Sequence, residues 1–163
     1  MGKSKTEFSD VVKDGEAKPV EGNLTIRSID RKGNIYTYKT PNVIVFEARR
    51  TLSHLLVGDL VGDLRIAFIG VGINDTAPTR ADTALLNEVH QQPIEPYDFP
   101  NGDIGQVEIT ATLDFISPAN GQFLKEAGLI SADGTTLFAR QVHGGIEKDA
   151  SIQLQYIWRI IFT

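Results

Sequence analysis

The chain has no cysteine among its 163 residues. That removes disulfides, thiolate zinc sites and cysteine nucleophiles at once. Histidine is scarce: His54, His90 and His143 are the full set, and no two are close in sequence. That spacing points to ordinary surface or half-buried roles rather than metal ligation. No apolar run approaches the roughly 18 residues of a membrane-spanning helix, so no membrane partner is expected. The start, "MGKSKTEFSD", lacks the apolar core of a signal peptide. It does carry Gly2 and Thr6 in the spacing of a short myristoylation pattern. Basic residues are scattered among acids, and the formal net charge is −5. A nucleic-acid binder gathers its cations on one face. Only Arg31-Lys32 and Arg49-Arg50 come near to clustering, so no sequence-specific nucleic-acid partner is expected.

Larger catalytic patterns are missing too. "FIGVGINDTAPTRADTALLNE" (Phe68 to Glu88) begins as many nucleotide loops do, with an apolar strand running into Gly70-Val71-Gly72. A phosphate-binding loop needs a Lys after its glycines, and a dinucleotide loop needs a third Gly before a long helix. Here Asp75 and Asp82 would repel an anion, and Pro78 interrupts any helix. The glycines are read as allowing a sharp exit from a buried strand. Asn74, Asp75 and Asp82 lack calcium-loop spacing, so they are expected to accept backbone hydrogen bonds, with Asp82 capping a short helix. No Ser lies in a nucleophile elbow. Glu108 and Asp114 lie about 20 Å apart along a strand, beyond the roughly 5–9.5 Å of a glycosidase pair. The expectation is a non-enzymatic protein with no catalytic, metal or cofactor residues.

What is present reads as strands. Met1 to Gly22 is polar with few large apolar groups, an arm that packs only against a neighbour. One domain of about 23–163 follows. "NLTIRSIDRKGNIYTYKT" reads as a hairpin turning at Gly33-Asn34. "NVIVFEARRTLSHLLVGD" reads as a helix at about 44–57, N-capped by Asn42 and stopped by Gly58. Val45, Ala48, Leu52, Leu55 and Leu56 share its apolar face. "LRIAFIGVG" is a buried strand. "TALLNEVH" is a helical turn or two, or a strand entry. Gln91 to Asp103, with three prolines, is an irregular loop.

"GQVEITATLDFIS" alternates cleanly, with Val107, Ile109, Ala111, Leu113 and Phe115 on one face. "FLKEAGLIS" and "TTLFARQVH" flank the turn "ADGT". In "SIQLQYIWRIIFT", Ile152, Leu154, Tyr156, Trp158, Ile160 and Phe162 share a face. Ile157 and Ile161 make the opposite face apolar too, so the helix or a neighbouring subunit should cover it. The expected fold is mainly β: an antiparallel β-sandwich with one packed α-helix and an extended N-terminal arm. Candidate interface residues are Tyr97, Phe99, Ile157 and Ile161. Tyr97 and Phe99 either anchor their loop on the core or offer aromatic faces to a sugar.

The ordered series from Val43 to Thr163 resembles a family of structural proteins of tailed bacteriophages and prophages. The resemblance rests on Leu55 to Gly58, Ile69 to Gly72, Thr76 to Pro78, Asp82 to Leu85, Glu126 to Leu129, Thr136 to Arg140 and Lys148 to Phe162. Gly-Thr-Gly is more usual where this chain has Gly70-Val71-Gly72. The resemblance implies a virion protein of the neck, collar (head-to-tail connection) or tail, assembled in the host cytoplasm. Its partners would be copies of itself in a homo-oligomer and other virion structural proteins. The alternative is a receptor- or glycan-binding, fibre-associated β-sandwich module.

Overall fold

The computed structural model describes residues 20–59, 62–102 and 104–162. Most of the expected arm, Met1 to Pro19, lies outside them. Val20 to Gly22 are not arm but the start of strand β1. The chain order is β1 (Val20–Asp30), β2 (Ile35–Pro41), β3 (Val43–Ile44), α1 (Phe46–Leu56), β4 (Ile66–Gly72) and β5 (Glu88–Pro93). Then follow β6 (Gln106–Leu113), β7 (Gln122–Ser131), β8 (Leu137–Lys148) and β9 (Ile152–Phe162). Two antiparallel sheets form: sheet A in the order β2-β1-β9-β6, and sheet B in the order β3-β8-β7-β4-β5.

The alternating strands fill the space between the sheets. Leu24 and Ile26 of β1, Ile109, Ala111 and Leu113 of β6, and Leu154, Tyr156, Trp158 and Ile160 of β9 face inward from sheet A. Ile69, Val71, Leu124, Ala127, Leu129 and Ala139 meet them from sheet B. Trp158 is fully buried, as are Leu24, Ile69 and Leu154; burying one such aliphatic side chain contributes roughly 1.5–3 kcal/mol.

A second, smaller apolar cluster lies on the other face of sheet B. It joins Leu85, Ile130, Leu137 and Val45, with Phe68 against it. The segment from Ile73 to Asn87 lies over this face as an extended loop. No helix forms in "TALLNEVH"; its strand-entry reading holds, because β5 begins at Glu88.

The helix departs from expectation in three ways. It starts at Phe46, because Val43 and Ile44 pair as a short strand with Arg140 and Ala139. Val45, not Asn42, is the N-cap, and it has no side-chain cap. Asn42 is instead held by the sheet, its N–H donating to the Gly22 carbonyl at 3.0 Å. Only Val45 and Ala48 of the apolar face are buried, while Leu55 and Leu56 are 56% and 87% exposed. Full burial is confined to the start of the helix, while Thr51, Leu52 and His54 further along are half-buried. Gly58 ends it as expected, with φ +70°.

Candidate functional site

Two glycines of β4 and one of β7 open a furrow on the outer face of sheet B. Gly70 pairs with Gly128, and Gly72 with Glu126. None of the three has a positive φ. They do not turn the chain out of the strand, as the sequence suggested; they remove side chains where the overlying loop needs room. A Cβ on Gly70 would come within 2.9 Å of Leu85 Cδ1, and one on Gly128 within 2.9 Å of Leu85 Cδ2. Leu85 therefore seats in the gap that the glycines leave. A Cβ on Gly72 would meet the Asn87 carbonyl oxygen and the Glu126 side chain.

At the mouth of this furrow Glu126 and Arg140 project from neighbouring strands. Both are fully buried. The Arg140 Nε–H donates to Glu126 Oε2 at 2.9 Å, and Nη2 lies 2.9 Å from the same oxygen. Nη1 donates to Asp82 Oδ2 at 2.9 Å, and Nη2 to the Thr76 carbonyl at 3.0 Å. The Glu126 carboxylate also accepts the backbone N–H groups of Leu86 (3.2 Å) and Asn87 (2.8 Å). Asp82 accepts the Thr79 N–H and hydroxyl at 3.0 and 2.7 Å. Burial alone would raise the Asp82 carboxyl; the two Thr79 bonds and Arg140 outweigh it and hold it below the usual range. Asp82 therefore caps no helix. It links the loop to Arg140.

The loop is thus bound at Thr76, Asp82, Leu86 and Asn87 to one guanidinium and one carboxylate. The planar fork of Arg suits such multiple donation. Each carboxylate oxygen of Glu126 and Asp82 already accepts a bond from within the chain. The chemistry of the cluster is that of a clamp. Asp75, at the loop's outer side, pairs with Lys125 at 2.9 Å.

Two further buried groups hold corners. Lys148 is fully buried and donates to Asn120 Oδ1 and the Asp149 carbonyl. Burial lowers its proton affinity, against the attraction of Asp149 and Asp114. His143 is also buried, between the sheets, with its ring 5.9 Å from Tyr156. Its Nδ1 lies 2.9 Å from the Gly144 carbonyl, which places the ring proton on Nδ1. Burial lowers its affinity for a second proton.

The four predicted interface residues fall in two places. Ile157 and Ile161 are half-buried on the outer face of sheet A. Thr25 and Thr110 flank Ile157, and Glu21 and Gln106 flank Ile161. Helix α1 packs at β8 of sheet B, so it does not cover them. A shallow depression of about 440 Å³ adjoins Ile157, between Arg27, Lys39 and the Arg159–Glu108 pair. Tyr97 and Phe99 lie on the loop that follows β5. They are 61% and 41% exposed, so they do not anchor that loop in the core. Their rings stack edge to face on each other, 5.4 Å apart. The loop is held instead by backbone: Asp98 and Glu108 exchange bonds of 2.8 and 2.9 Å, and the Glu95 N–H reaches the Thr110 carbonyl at 2.7 Å. Compared with family models, with curated proteins and with solved structures, the chain gave no match.

Proposed function

We propose that the chain is a non-enzymatic structural subunit of a tailed-phage particle, in the neck, collar or tail, acting through repeated contacts between subunits. One observation carries this reading. Of the seven sequence segments that resemble the phage family, five meet in a single substructure. Ile69 to Gly72 and Glu126 to Leu129 supply the furrow. Asp82 to Leu85 supplies Asp82 and the Leu85 that fills it. Thr76 to Pro78 and Thr136 to Arg140 supply a bound carbonyl and the guanidinium. The residues that carry the resemblance thus lie together in this chain, where Asp82, Glu126 and Arg140 hold a loop. The outer face of sheet A, with Ile157 and Ile161, is the surface assigned to subunit contact.

Light scattering across concentration tests this. The full chain should reach a mass of three or more subunits. The double variant Ile157→Lys, Ile161→Lys should keep the wild-type melting temperature and lose that mass. If the variant unfolds, those side chains are core and the assignment fails.

A second reading, a glycan-binding module, is favoured by one feature: the exposed Tyr97–Phe99 pair, since sugars stack on aromatic faces. A glycan array read beside Tyr97→Ala separates the two. Binding lost in that variant would support the module.

A further inference from the structure

Strand β2 is an edge strand of sheet A, and all its residues but Thr40 are exposed. Its hydrogen-bonding parity follows from its two ends. Asn42 N–H donates to the Gly22 carbonyl, and Asp30 N–H to the Asn34 carbonyl. The intervening pairs of the same parity are Leu24 with Thr40, Ile26 with Tyr38, and Ser28 with Tyr36. In an antiparallel ladder such pairs exchange both bonds, and alternate residues turn theirs outward. Ile35, Thr37 and Lys39 therefore direct N–H and C=O away from β1. Among the described residues nothing receives them.

The other edges are blunted. β6 is covered by the segment around Asp98. β3 has two residues. β5 carries a bulge opposite Val71 and Gly72, and Pro93, which has no N–H, lies at an outward position, since its neighbour Ile94 bonds to Ala67. Bulges and prolines are the usual protections of an edge. β2 is in regular register along its length. Its Lys39 side chain points off the sheet face rather than along the edge.

We propose that β2 pairs with the β2 of a second copy about a two-fold axis at Thr37. That antiparallel register engages every outward group: Ile35 with the partner's Lys39, Thr37 with the partner's Thr37, and Lys39 with the partner's Ile35. It forms roughly six N–H···O bonds between subunits. No like charges stand opposite, whereas an axis at Lys39 would oppose two ammonium groups. On the inner side, Tyr36 would face the partner's Tyr38. These rings are 69% and 43% exposed because sheet B stops short of them, and they border a largely apolar cleft with Ile26 and Ile146. Pairing covers this cleft and joins the two copies of sheet A into one sheet of about eight strands, within the usual range. The contact is isologous and closes on itself. It is independent of the phage reading, and a larger ring would need a second surface.

The absence of cysteine makes the test clean. A hydrogen-bonded antiparallel pair sets its Cα atoms about 5.5 Å apart, inside the range of a disulfide. The full-length Thr37→Cys variant should form a disulfide-linked dimer under mild oxidation, and Gln91→Cys on β5 should not. Thr37→Pro removes an N–H that the β1–β2 hairpin does not use. It should keep the wild-type circular dichroism and raise the dimer dissociation constant at least about tenfold in sedimentation. Ile157→Lys, Ile161→Lys should leave the Thr37→Cys crosslink intact, so failure of one surface is distinguishable from failure of the other. A monomeric wild type at all concentrations overturns the proposal. So does a Thr37→Cys chain that stays uncrosslinked, whether its thiol is open to titration or covered by its own chain.

Discussion

Replacing Arg140 by Met tests the clamp most directly. Arg140 touches Glu126, Asp82 and the Thr76 carbonyl, and it is fully buried. Removing it leaves the Glu126 carboxylate in the interior with only the Leu86 and Asn87 N–H groups as partners. Removing one partner of a buried ion pair costs about 3–5 kcal/mol. Against a total stability of about 5–15 kcal/mol, the variant should be severely weakened yet still measurable. Arg140→Met with Glu126→Gln should recover part of the loss, because no buried charge is then left alone and the amide oxygen still accepts one loop N–H. The cycle should return a coupling of about 2 kcal/mol or more, as contacting residues in one network do. Urea melts followed by fluorescence suit this, since Trp158 is the single tryptophan and is wholly buried. Hydrogen exchange should show Leu86 and Asn87 losing protection first. Additive single-variant losses, with unchanged exchange at those two amides, would refute the clamp as a coupled unit.

Alanine at Gly72 should destabilise more than alanine at Gly70 in thermal melts. The first meets the Asn87 backbone carbonyl, which cannot step aside, while the second meets only side-chain ends of Ile130, Glu88 and Leu85; overpacking of the first kind costs about 1–3 kcal/mol. His143 is held neutral by burial, so the unfolded chain binds a proton before the native one does. Stability should be complete above about pH 6.5 and fall below it, by at most about 1.4 kcal/mol per pH unit. Urea melts of His143→Phe between pH 7.5 and 5 should show a shallower fall, and an unchanged slope would exclude this source. Tyr97→Ala should change the unfolding free energy from urea melts by no more than about 0.5 kcal/mol, as for an exposed side chain away from special features; a larger loss would mean the ring anchors its loop.

The hairpin from Asn23 to Thr40, the β7–β8 turn and the faces of β6 and β9 were legible in the sequence. Each rests on local information: a turn residue, or a period of two between two environments. The helix was half legible. Its pattern marked Val45 and Ala48 correctly, but no sequence period reveals that the sheet stops before reaching Leu55 and Leu56. The clamp was not legible. Glu126 and Arg140 read as charges on strands, and bulges between Leu124 and Glu126 and between Leu129 and Ile130 shift the alternation that would have turned them inward. A hint did exist for Arg140, the lone charge in "TTLFARQVH"; Glu126 stands beside Lys125 and offered none. Asp82 and the glycines were singled out, but Arg140, the partner of Asp82, lies 58 residues away from it. That distance is closed only by tertiary structure.

Strand β1 lies between β2 and β9, and its first residue pairs with Phe162. Until β9 emerges, the nascent chain can complete sheet B and its covering loop, but sheet A exists only as the β1–β2 hairpin and an isolated β6. Leu24, Ile26 and Ile109 then face water. Such distant pairing closes large loops before any contact rewards it, which places folding in the millisecond-to-second range of β-rich topologies. During that interval the chain is most exposed to capture by chaperones or to pairing with another unfinished copy. Synthesis speed and the order of strand emergence thus bear on yield as directly as the stability of the finished molecule.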